Sequence, residues 1–539
     1  MLPAASRRRQ MGMYSTPTST ADYMADWLLR GEADQVLEPS FGDGAFLAAV
    51  ARVARRRGLD AVRIRGVEID PGALGQTVST GLLRRDDAIL SDFLDVEPFP
   101  VDCVIGNPPY VRIRHLQDQP SRRRALEVAA GLLPKGMDPS GSIWMPFVLH
   151  ATRFLRIGGR MALVLPYDAT YVRYARPLWE FLGQRFSSLR VVRVHQRLFP
   201  DILQDVVLLF ADGHGGHTTT VEFEAYSRVQ DLLAGSPGAA SGISIAGILR
   251  GDREFVAALL PQDLRALLRD RLHELTRPAH SVVKFNIGYV TGDKRFFHPG
   301  AETVRDYDLP PSSLVSALTS SRALRGAGLR TSSVGAKEAL FLPPATRLAP
   351  GERRYLQAGE DAGVHQRFKC RVRNPWYVVP GVKVPDLVLS VFSSVPLLMV
   401  NDAGTYASNS LLCGYVRDGA DAAGVAASWY TSLTLLECEL RIHSLGGGVL
   451  IIIPGEVDEV RLPSAGGTAH LAEVDAALRT GDIASAYAVG DRHVLRSRAG
   501  LSGAEVELVH EGVRQLRRWR ERSPELPTAA AHARRRDPS

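Results

Sequence analysis

The residues best suited to chemistry in this sequence are an amide and an aromatic ring joined by two prolines. Asn107, Pro108, Pro109 and Tyr110 follow Gly106 and a stretch whose apolar residues are Val101, Cys103, Val104 and Ile105. Proline fixes its own φ angle and biases the residue before it towards extended backbone. We therefore expect Asn107 and Tyr110 to be held in place where a buried strand ends, which indicates a binding or catalytic site.

A second group of candidate residues follows the earlier strands of the same region. Gly42 and Gly44, in LEPSFGDGAF, allow a tight turn before a helix, whose N-terminus favours an anionic group. Glu68 ends the next strand, where a carboxylate can accept hydrogen bonds from both ribose hydroxyls. Asp92 follows a third strand and could accept from an adenine amino group. These residues suit NAD as well as any other cofactor that carries adenosine.

The elements that must position these residues alternate between strand and helix. Apolar periodicity predicts a helix at 19–30, strands at 35–40, 63–70, 87–94, 101–106, 160–166, 189–195 and 205–213, and helices at 45–58, 142–159 and 174–186. Such alternation predicts a doubly wound, mainly parallel sheet. Ligands of these sheets bind beyond the carboxyl ends of the strands, where all the candidate residues fall.

The second half of the chain has a different pattern, with polar, glycine-rich breaks after about residue 212. We predict a first domain at 1–235, a second domain of mixed α+β character at 240–500, and a third region at 501–539. Helices are predicted at 428–442 and 504–522. The Pro/Ala/Arg-rich tail after the last helix is predicted to be disordered.

Composition narrows the class of protein. The chain has 539 residues, and 65 Lys and Arg exceed 58 Asp and Glu, for a formal charge of +7, which suits a polyanionic partner. Its four cysteines lack the spacing of a zinc site or a disulfide framework, and no metal is expected. No apolar run is long enough to span a membrane, and the N-terminus lacks the apolar core of a signal peptide. A cytoplasmic protein is expected.

Taken together, the motifs resemble those of the N6-adenine-specific DNA methyltransferases of the TaqI-like and Eco57I-like family. Their gamma-type order puts the glycine-rich cofactor motif before Asn-Pro-Pro-Tyr. GMYSTP (12–17) resembles the family segment that closes over the methionine end of the cofactor, with Ser15 in place of the commoner Tyr. The segment 194–210 resembles the motif whose Phe stacks on the extruded base, which would be Phe199.

The resemblance implies a Rossmann-like class I methyltransferase domain with S-adenosylmethionine as cofactor, followed by a mixed α+β target-recognition domain. The residues expected to bind the cofactor are Tyr14, Thr16, Pro17, Glu38, Gly42, Gly44, Glu68, Ile69, Asp92, Phe93 and Asn107. Double-stranded DNA is the expected partner, bound by a monomer. A separately encoded restriction endonuclease is compatible with this assignment.

The expected chemistry explains the residue types of the Asn-Pro-Pro-Tyr motif. The Asn107 side-chain oxygen and the Pro108 carbonyl can each accept one hydrogen of adenine N6 and stabilise the positive charge that develops there. Tyr110 supplies a π-face for a base flipped out of the duplex. Phosphate contacts are expected from Arg112 and Arg114, and DNA contacts in the second domain from Lys284, Lys294 and Arg295.

Three alternatives remain open from the sequence. An RNA adenine methyltransferase would use the same motif. A protein-glutamine methyltransferase would be a shorter chain with its extra domain before the cofactor motif, whereas the extension here follows Asn-Pro-Pro-Tyr. A non-catalytic DNA-binding module would be expected to have lost Asn107 or the glycine turn, and both are present.

Overall fold

The computed structural model describes residues 16–116, 119–199, 205–335, 337–444, 448–464 and 467–521. The chain divides into two compact units, Met1–Leu259 and Leu260–Ser539. The first unit therefore extends beyond the predicted boundary at 235.

The first unit is built on one sheet of nine strands in the order β3-β2-β1-β4-β5-β7-β6-β8-β9. The strands are β1 Gln35–Glu38, β2 Arg63–Glu68, β3 Ala88–Leu90, β4 Val101–Gly106, β5 Leu155–Pro166, β6 Phe186–Val194, β7 Val206–His214, β8 Thr220–Tyr226 and β9 Ala239–Ser244. Strands β1 to β5 pair in parallel, whereas β7 runs antiparallel between β5 and β6. The prediction of a mainly parallel, doubly wound sheet is confirmed.

Helices cover both faces of this sheet. They are α1 Thr18–Leu28, α2 Ala45–Arg57, α3 Pro71–Ser79, α4 Gln119–Leu132, α5 Trp144–Thr152, α6 Arg176–Gly183, α7 Val229–Leu233, α8 Ile245–Arg250 and α9 Glu254–Ala257. Apolar residues of α1 and α2 share one core with Ala162 and Val164 of β5. Side chains alternate along a strand, so Leu163 faces the opposite side of the sheet.

Two predictions for the first unit were wrong in detail. The helix predicted at 142–159 ends at Thr152, and β5 begins at Leu155 after a two-residue turn. The strand predicted at 205–213 is not the last one, because β8 and β9 continue the sheet. The segment TVEFEAY of β8 alternates between exposed and buried residues, which is the pattern of a half-buried strand.

The second unit combines four small sheets with many short helices, as the predicted α+β character requires. Its strands are β10 Thr276–Pro278, β11 Val283–Ile287, β12 Leu314–Leu318, β13 Glu338–Phe341, β14 Leu387–Ser390, β15 Phe392–Ser393, β16 Leu398–Val400, β17 Tyr406–Ala407, β18 Leu411–Val416, β19 Leu450–Ile451 and β20 Arg461–Pro463. The largest of these sheets has the order β11-β18-β14-β16.

The helices of the second unit end with the long basic helix predicted from the sequence. They are α10 Gln262–Leu267, α11 Lys294–Phe297, α12 Ala301–Asp306, α13 Pro350–Asp361, α14 Phe368–Arg371, α15 Ala422–Trp429, α16 Ser432–Arg441, α17 Pro454–Val457, α18 Leu471–Arg479, α19 Ile483–Gly490 and α20 Gly503–Glu521. Helix α20 belongs to the second unit, because Arg520 donates to the buried Glu439 carboxylate of α16. The helix predicted at 428–442 is instead two helices, with Thr431 capping the second.

Candidate active site

The glycine-rich turn after β1 has the geometry that the sequence predicts. Gly42 and Gly44 have φ angles of 53° and 78°, in the left-handed region that favours glycine. The backbone N–H of Gly44 donates to the Phe41 carbonyl at 2.7 Å, and Gly44 precedes the first residue of α2. The turn therefore brings backbone close to the N-terminus of a helix at the carboxyl end of β1.

Glu68, at the end of β2, holds this turn in place. Its Oε2 accepts the Gly42 N–H at 2.8 Å, and its Oε1 accepts the N–H groups of Ile69 and Asp70, each at 2.9 Å. The side chain is buried. The structure thus gives Glu68 a clear role in shaping the turn, and its predicted contact with ribose hydroxyls stays a prediction.

Glu38, the last residue of β1, has a buried carboxylate oxygen that lacks a hydrogen bond. Its side chain is 1% exposed, and Oε2 makes no hydrogen bond to any part of the chain that the structure describes. Burial, with the nearby Asp43 and Glu68 carboxylates, raises the pKa of Glu38 well above its ordinary value, against an opposing hydrogen bond from the Leu47 backbone. A positively charged group bound beside Oε2 would remove this penalty.

Asp92, after β3, is already paired in this structure. Its Oδ1 accepts the Leu94 N–H at 3.0 Å, and Arg124 of α4 donates to its Oδ2 at 3.1 Å. Arg124 also forms an ion pair with Asp95. The predicted hydrogen bond from adenine would have to share Oδ2 with Arg124, so helix α4 forms a wall of this part of the site.

The two apolar residues predicted to contact the cofactor differ in exposure. Ile69 is 58% exposed next to Glu68, so its side chain is free to pack against a planar base. The Phe93 ring is 2% exposed and packs against Phe147 and Phe154, with ring centroids 5.2 and 5.3 Å away. The Phe93 side chain therefore belongs to the hydrophobic core, and its predicted contact with the cofactor stays a prediction.

The segment predicted to close over the cofactor is only partly described. Tyr14 lies outside the described residues. Thr16 is buried, and the Pro17 carbonyl accepts the N–H of Ala21 in the first turn of α1. These two residues lead into α1 and remain predicted cofactor contacts.

The Asn-Pro-Pro-Tyr segment follows β4 directly, beside the glycine turn. A methyl group placed on Gly106 would lie 3.3 Å from Pro39 Cδ, so the ends of β1 and β4 pack against each other. Tyr110 Oη lies 2.7 Å from the Asn107 side-chain oxygen and 3.0 Å from the Val164 carbonyl oxygen of β5. The predicted cofactor residues and the predicted catalytic residues therefore meet at one edge of the sheet.

Phe199 belongs to the same apolar cluster as Tyr110. Its side chain is 4% exposed, whereas Tyr110 is partly buried and packs against the cluster from its margin. The structure brings the two predicted aromatic residues together. It places the Phe199 ring in the core and not in an open pocket, and its stacking on a flipped base stays a prediction.

A polar cluster that the sequence did not predict lies beside Arg112. Burial raises the pKa of Asp168 to about 6, although the Arg112 guanidinium lowers it, and the Asp168 Oδ1 atom makes no hydrogen bond within the described ranges. Arg112 lies over the Tyr174 ring, 5.9 Å from its centroid, and that ring is 6.1 Å from Trp144. No short motif marks these residues, because the turn after β5 brings them together.

The remaining predicted DNA contacts are distributed over both units. Arg112 donates to the Ser140 carbonyl at 3.2 Å, and Arg114 is exposed. In the second unit Lys284 forms an ion pair with Asp458, Lys294 lies 3.6 Å from the Glu338 carboxylate, and Arg295 is exposed. Their contacts with DNA stay predictions, and those of Lys284 and Lys294 would compete with ion pairs.

The described part of the chain shows no candidate metal site, no disulfide and no membrane-spanning helix. Within it, no three His, Cys, Asp or Glu side chains are grouped so that they could hold a metal ion. Its four cysteines are free and buried. None of its helices is long and apolar enough to cross a membrane.

Two family models match this chain, one within the first unit and one that covers most of the second. Residues 84–199 match the Eco57I restriction-modification methylase model, and residues 252–495 match the C-terminal domain of the Type II methyltransferase M.Eco57I. The first match includes Asn107 and Tyr110. The chain belongs to the Eco57I-like DNA methyltransferases. Membership of this family implies S-adenosylmethionine as the methyl donor.

Individual relatives agree with this assignment. The Type II methyltransferase M.TthHB8I of Thermus thermophilus is 31% identical over 169 residues, which are 31% of this chain and 37% of that protein. M.AccI of Acinetobacter calcoaceticus is 20% identical over 422 residues, 73% of this chain and 74% of the relative. The chain thus spans little more than a third of the first relative and about three quarters of the second.

A solved structure supports the fold. The Type IIL restriction-modification enzyme MmeI, solved in complex with DNA, superposes with a TM-score of 0.54 at 12% identity, covering 93% of this chain and 75% of that one. At this identity the similarity concerns the fold alone. The first unit is a Rossmann-like class I methyltransferase domain, as the sequence predicts.

The donor set fits S-adenosylmethionine. Its cationic end could pair with the unbonded Glu38 Oε2, while its adenosine could contact Ile69 and Asp92. Gly42 and Gly44, on either side of Asp43, bring no side-chain bulk to this turn.

Proposed function

We propose that this chain is a site-specific DNA methyltransferase that modifies N6 of an adenine flipped out of the duplex. The observation that carries the proposal is the position of Asn107 and Tyr110 at the end of β4, packed against the glycine turn through Gly106 and Pro39. This arrangement supports the proposal because it brings hydrogen-bond acceptors for an amino group near the proposed cofactor residues at the end of β1.

The residues of the loop can carry out the transfer without a strong base. The Asn107 side-chain oxygen and the Pro108 carbonyl accept the two N6 hydrogens, which favours a tetrahedral nitrogen and stabilises its developing positive charge. When bound, S-adenosylmethionine supplies an electrophilic methyl group. As N6 gains the methyl group, it releases one of its two protons to solvent. This proton leaves by way of the Asn107 and Pro108 oxygens that had accepted the N6 hydrogens.

The flipped base needs an aromatic surface, and Tyr110 and Phe199 are the nearest candidates. Both lie in one apolar cluster, with Tyr110 at its margin. Stacking on an aromatic ring is worth roughly 1–3 kcal/mol per base, which offsets part of the cost of unstacking. Phe199 would reach the base only if its ring left the core.

Recognition of the DNA sequence is assigned in this proposal to the second unit. The match of residues 252–495 to the M.Eco57I C-terminal domain supports a function for this unit in addition to methyl transfer. Lys284, Lys294 and Arg295 are the proposed contacts to DNA. We also propose that the chain acts as a monomer and that its partner is a separately encoded restriction endonuclease.

The test is methyl transfer by the purified full chain. Plasmid DNA incubated with S-adenosylmethionine is digested to nucleosides and analysed by mass spectrometry, with the Asn107→Ala variant as control. We expect N6-methyldeoxyadenosine with the wild type and none with the variant. Methylated cytosine, or methyl groups found only on added RNA or protein, would overturn the proposal.

A further inference from the structure

The hydroxyl of Tyr110 lies between two groups that both require a hydrogen atom from it. It is 2.7 Å from the terminal oxygen of Asn107 and 3.0 Å from the Val164 carbonyl oxygen. Strand β4 ends at Gly106, which pairs with Leu163, so Val164 is the first β5 residue beyond that pairing. The Tyr110 hydroxyl therefore contacts the Val164 carbonyl just beyond the last residue pair of the β4–β5 ladder.

A single hydroxyl hydrogen cannot be donated fully to both oxygens. The two ends of a side-chain amide have the same shape, and their assignment follows from the hydrogen bonds that each end can make. If the Asn107 amide is turned by 180°, its Nδ2 donates to Tyr110 Oη, and Tyr110 donates to Val164. Both short distances are then hydrogen bonds, and each has its own hydrogen.

The same arrangement occurs elsewhere in this molecule. The backbone N–H of Leu398 donates to Tyr430 Oη at 3.2 Å, and the Tyr430 hydroxyl donates to the Leu398 carbonyl at 2.7 Å. Tyr430 therefore shows that a tyrosine hydroxyl in this fold can accept one hydrogen bond and donate another to a backbone carbonyl.

We infer that Tyr110 is a positioning residue, whose hydroxyl selects the rotamer of Asn107 in which the amide oxygen faces the target amino group. The inference rests on the proposed adenine methylation. In this orientation Nδ2 is held by Tyr110, and both lone pairs of Oδ1 remain available to N6–H. In the opposite orientation the amide would present N–H donors to the N–H donors of adenine, and they would repel each other.

The Tyr110→Phe variant tests this role because it keeps the π-face and removes only the hydroxyl. We expect kcat to fall by about tenfold, which is about 1.4 kcal/mol and within the range of one lost hydrogen bond. The Kd for S-adenosylmethionine and the fluorescence rise of 2-aminopurine at the target position should stay within about twofold of wild type. Tyr430→Phe is the matched control, because it removes a buried hydroxyl bonded to a carbonyl outside the proposed site.

The same Tyr110→Phe substitution in a second background distinguishes an effect on the orientation of the Asn107 amide from an effect on packing. In an Asn107→Asp background both terminal atoms are oxygens, so the hydroxyl has no orientation to select. There, Tyr110→Phe should change the slow single-turnover rate by less than about twofold, compared with about tenfold in the Asn107 background. An equal loss in both backgrounds, or no loss with Asn107, would overturn the inference. Failure of wild-type adenine methylation would instead overturn the proposed function on which it rests.

Discussion

At the scale of single residues, we expect the buried Glu38 carboxylate to make cofactor binding depend on pH. A carboxyl with a raised pKa binds more protons in the folded than in the unfolded chain, between its ordinary value of about 4.3 and its folded value. The free energy of unfolding of the cofactor-free protein therefore falls as pH rises through that window. A cationic ligand at Oε2 would favour the ionised form and reverse part of this loss.

The Glu38→Gln variant should separate these two effects. Without cofactor its melting temperature should depend less on pH above about 4.3 than that of wild type, because the amide does not titrate. Its affinity for S-adenosylmethionine, measured by calorimetry, should fall by about 5- to 150-fold, since a charged hydrogen bond worth roughly 1–3 kcal/mol is lost. Parallel melting curves and unchanged affinity would contradict the assigned role.

Phe199 gives a second prediction at this scale. Its ring is 4% exposed in the cluster that also contains Phe210, which is 1% exposed. Removing a buried Phe side chain costs about 3–5 kcal/mol. Phe199→Ala should therefore lower the melting temperature about as much as the control Phe210→Ala. If Phe199→Ala melts like wild type, the ring does not belong to the core, and an open stacking position is the better description.

At the scale of elements, helix α2 has a left-handed glycine at each end. Gly44 precedes the helix with φ of 78°, and Gly58 follows it with φ of 67°. An L-residue in this conformation costs roughly 1–2 kcal/mol. Only Gly44 lies in the proposed cofactor turn. Comparing substitutions at Gly44 and Gly58 therefore distinguishes a loss of cofactor binding from a loss of stability.

Both Gly44→Ala and Gly58→Ala should lower stability by a similar amount, roughly 1–2 kcal/mol, in denaturant titrations. Only Gly44→Ala should also weaken S-adenosylmethionine binding, because it displaces backbone at the pocket. Among the residues that the structure describes, no side chain lies within 4 Å of a methyl group placed on Gly58. Equal cofactor affinity in the two variants would show that the turn does not line the pocket.

Sequence patterns predicted the elements whose ends are marked by Gly and Pro. The strand at 101–106 has the predicted bounds, and the helix at 45–58 ends one residue earlier than predicted. Only the turn 153–154, which contains neither Gly nor Pro, separates helix α5 from strand β5, so the sequence pattern could not place the change at Thr152. Strand β8 was missed because glycine-rich breaks on both sides hid its alternating pattern.

The site residues also divide into those that local sequence predicts and those that depend on contacts between distant segments. Glycine turns and Asn-Pro-Pro-Tyr depend on local backbone chemistry, and the structure places them together. Asp168 approaches Arg112 only because β4 and β5 are neighbours, and the burial of Phe93 depends on α5. Contacts between distant segments have no signal in a single short motif.

At the scale of the whole molecule, the division at Leu259 defines what the first unit can do alone. The sheet needs β8 and β9, which end at Ser244, so a chain cut near residue 215 would lose two of nine strands. A chain shortened to end at Leu259 keeps the complete sheet and the proposed cofactor pocket.

We expect the chain that ends at Leu259 to bind S-adenosylmethionine within about tenfold of the full-length affinity, and to lose sequence-selective methylation. Calorimetry and methyl transfer to DNA with varied sequences measure the two properties separately. Selective methylation of one sequence by the shortened chain would show that the second unit does not provide target recognition.

The most direct measurement of the central claim is native sequencing of genomic DNA from a host that expresses the full chain. The account predicts N6-methyladenine at nearly all copies of one short sequence motif, and unmodified DNA in a host that expresses the Asn107→Ala variant. Unmodified adenines with the wild type, adenines modified without a common motif, or equal modification with the variant would contradict it.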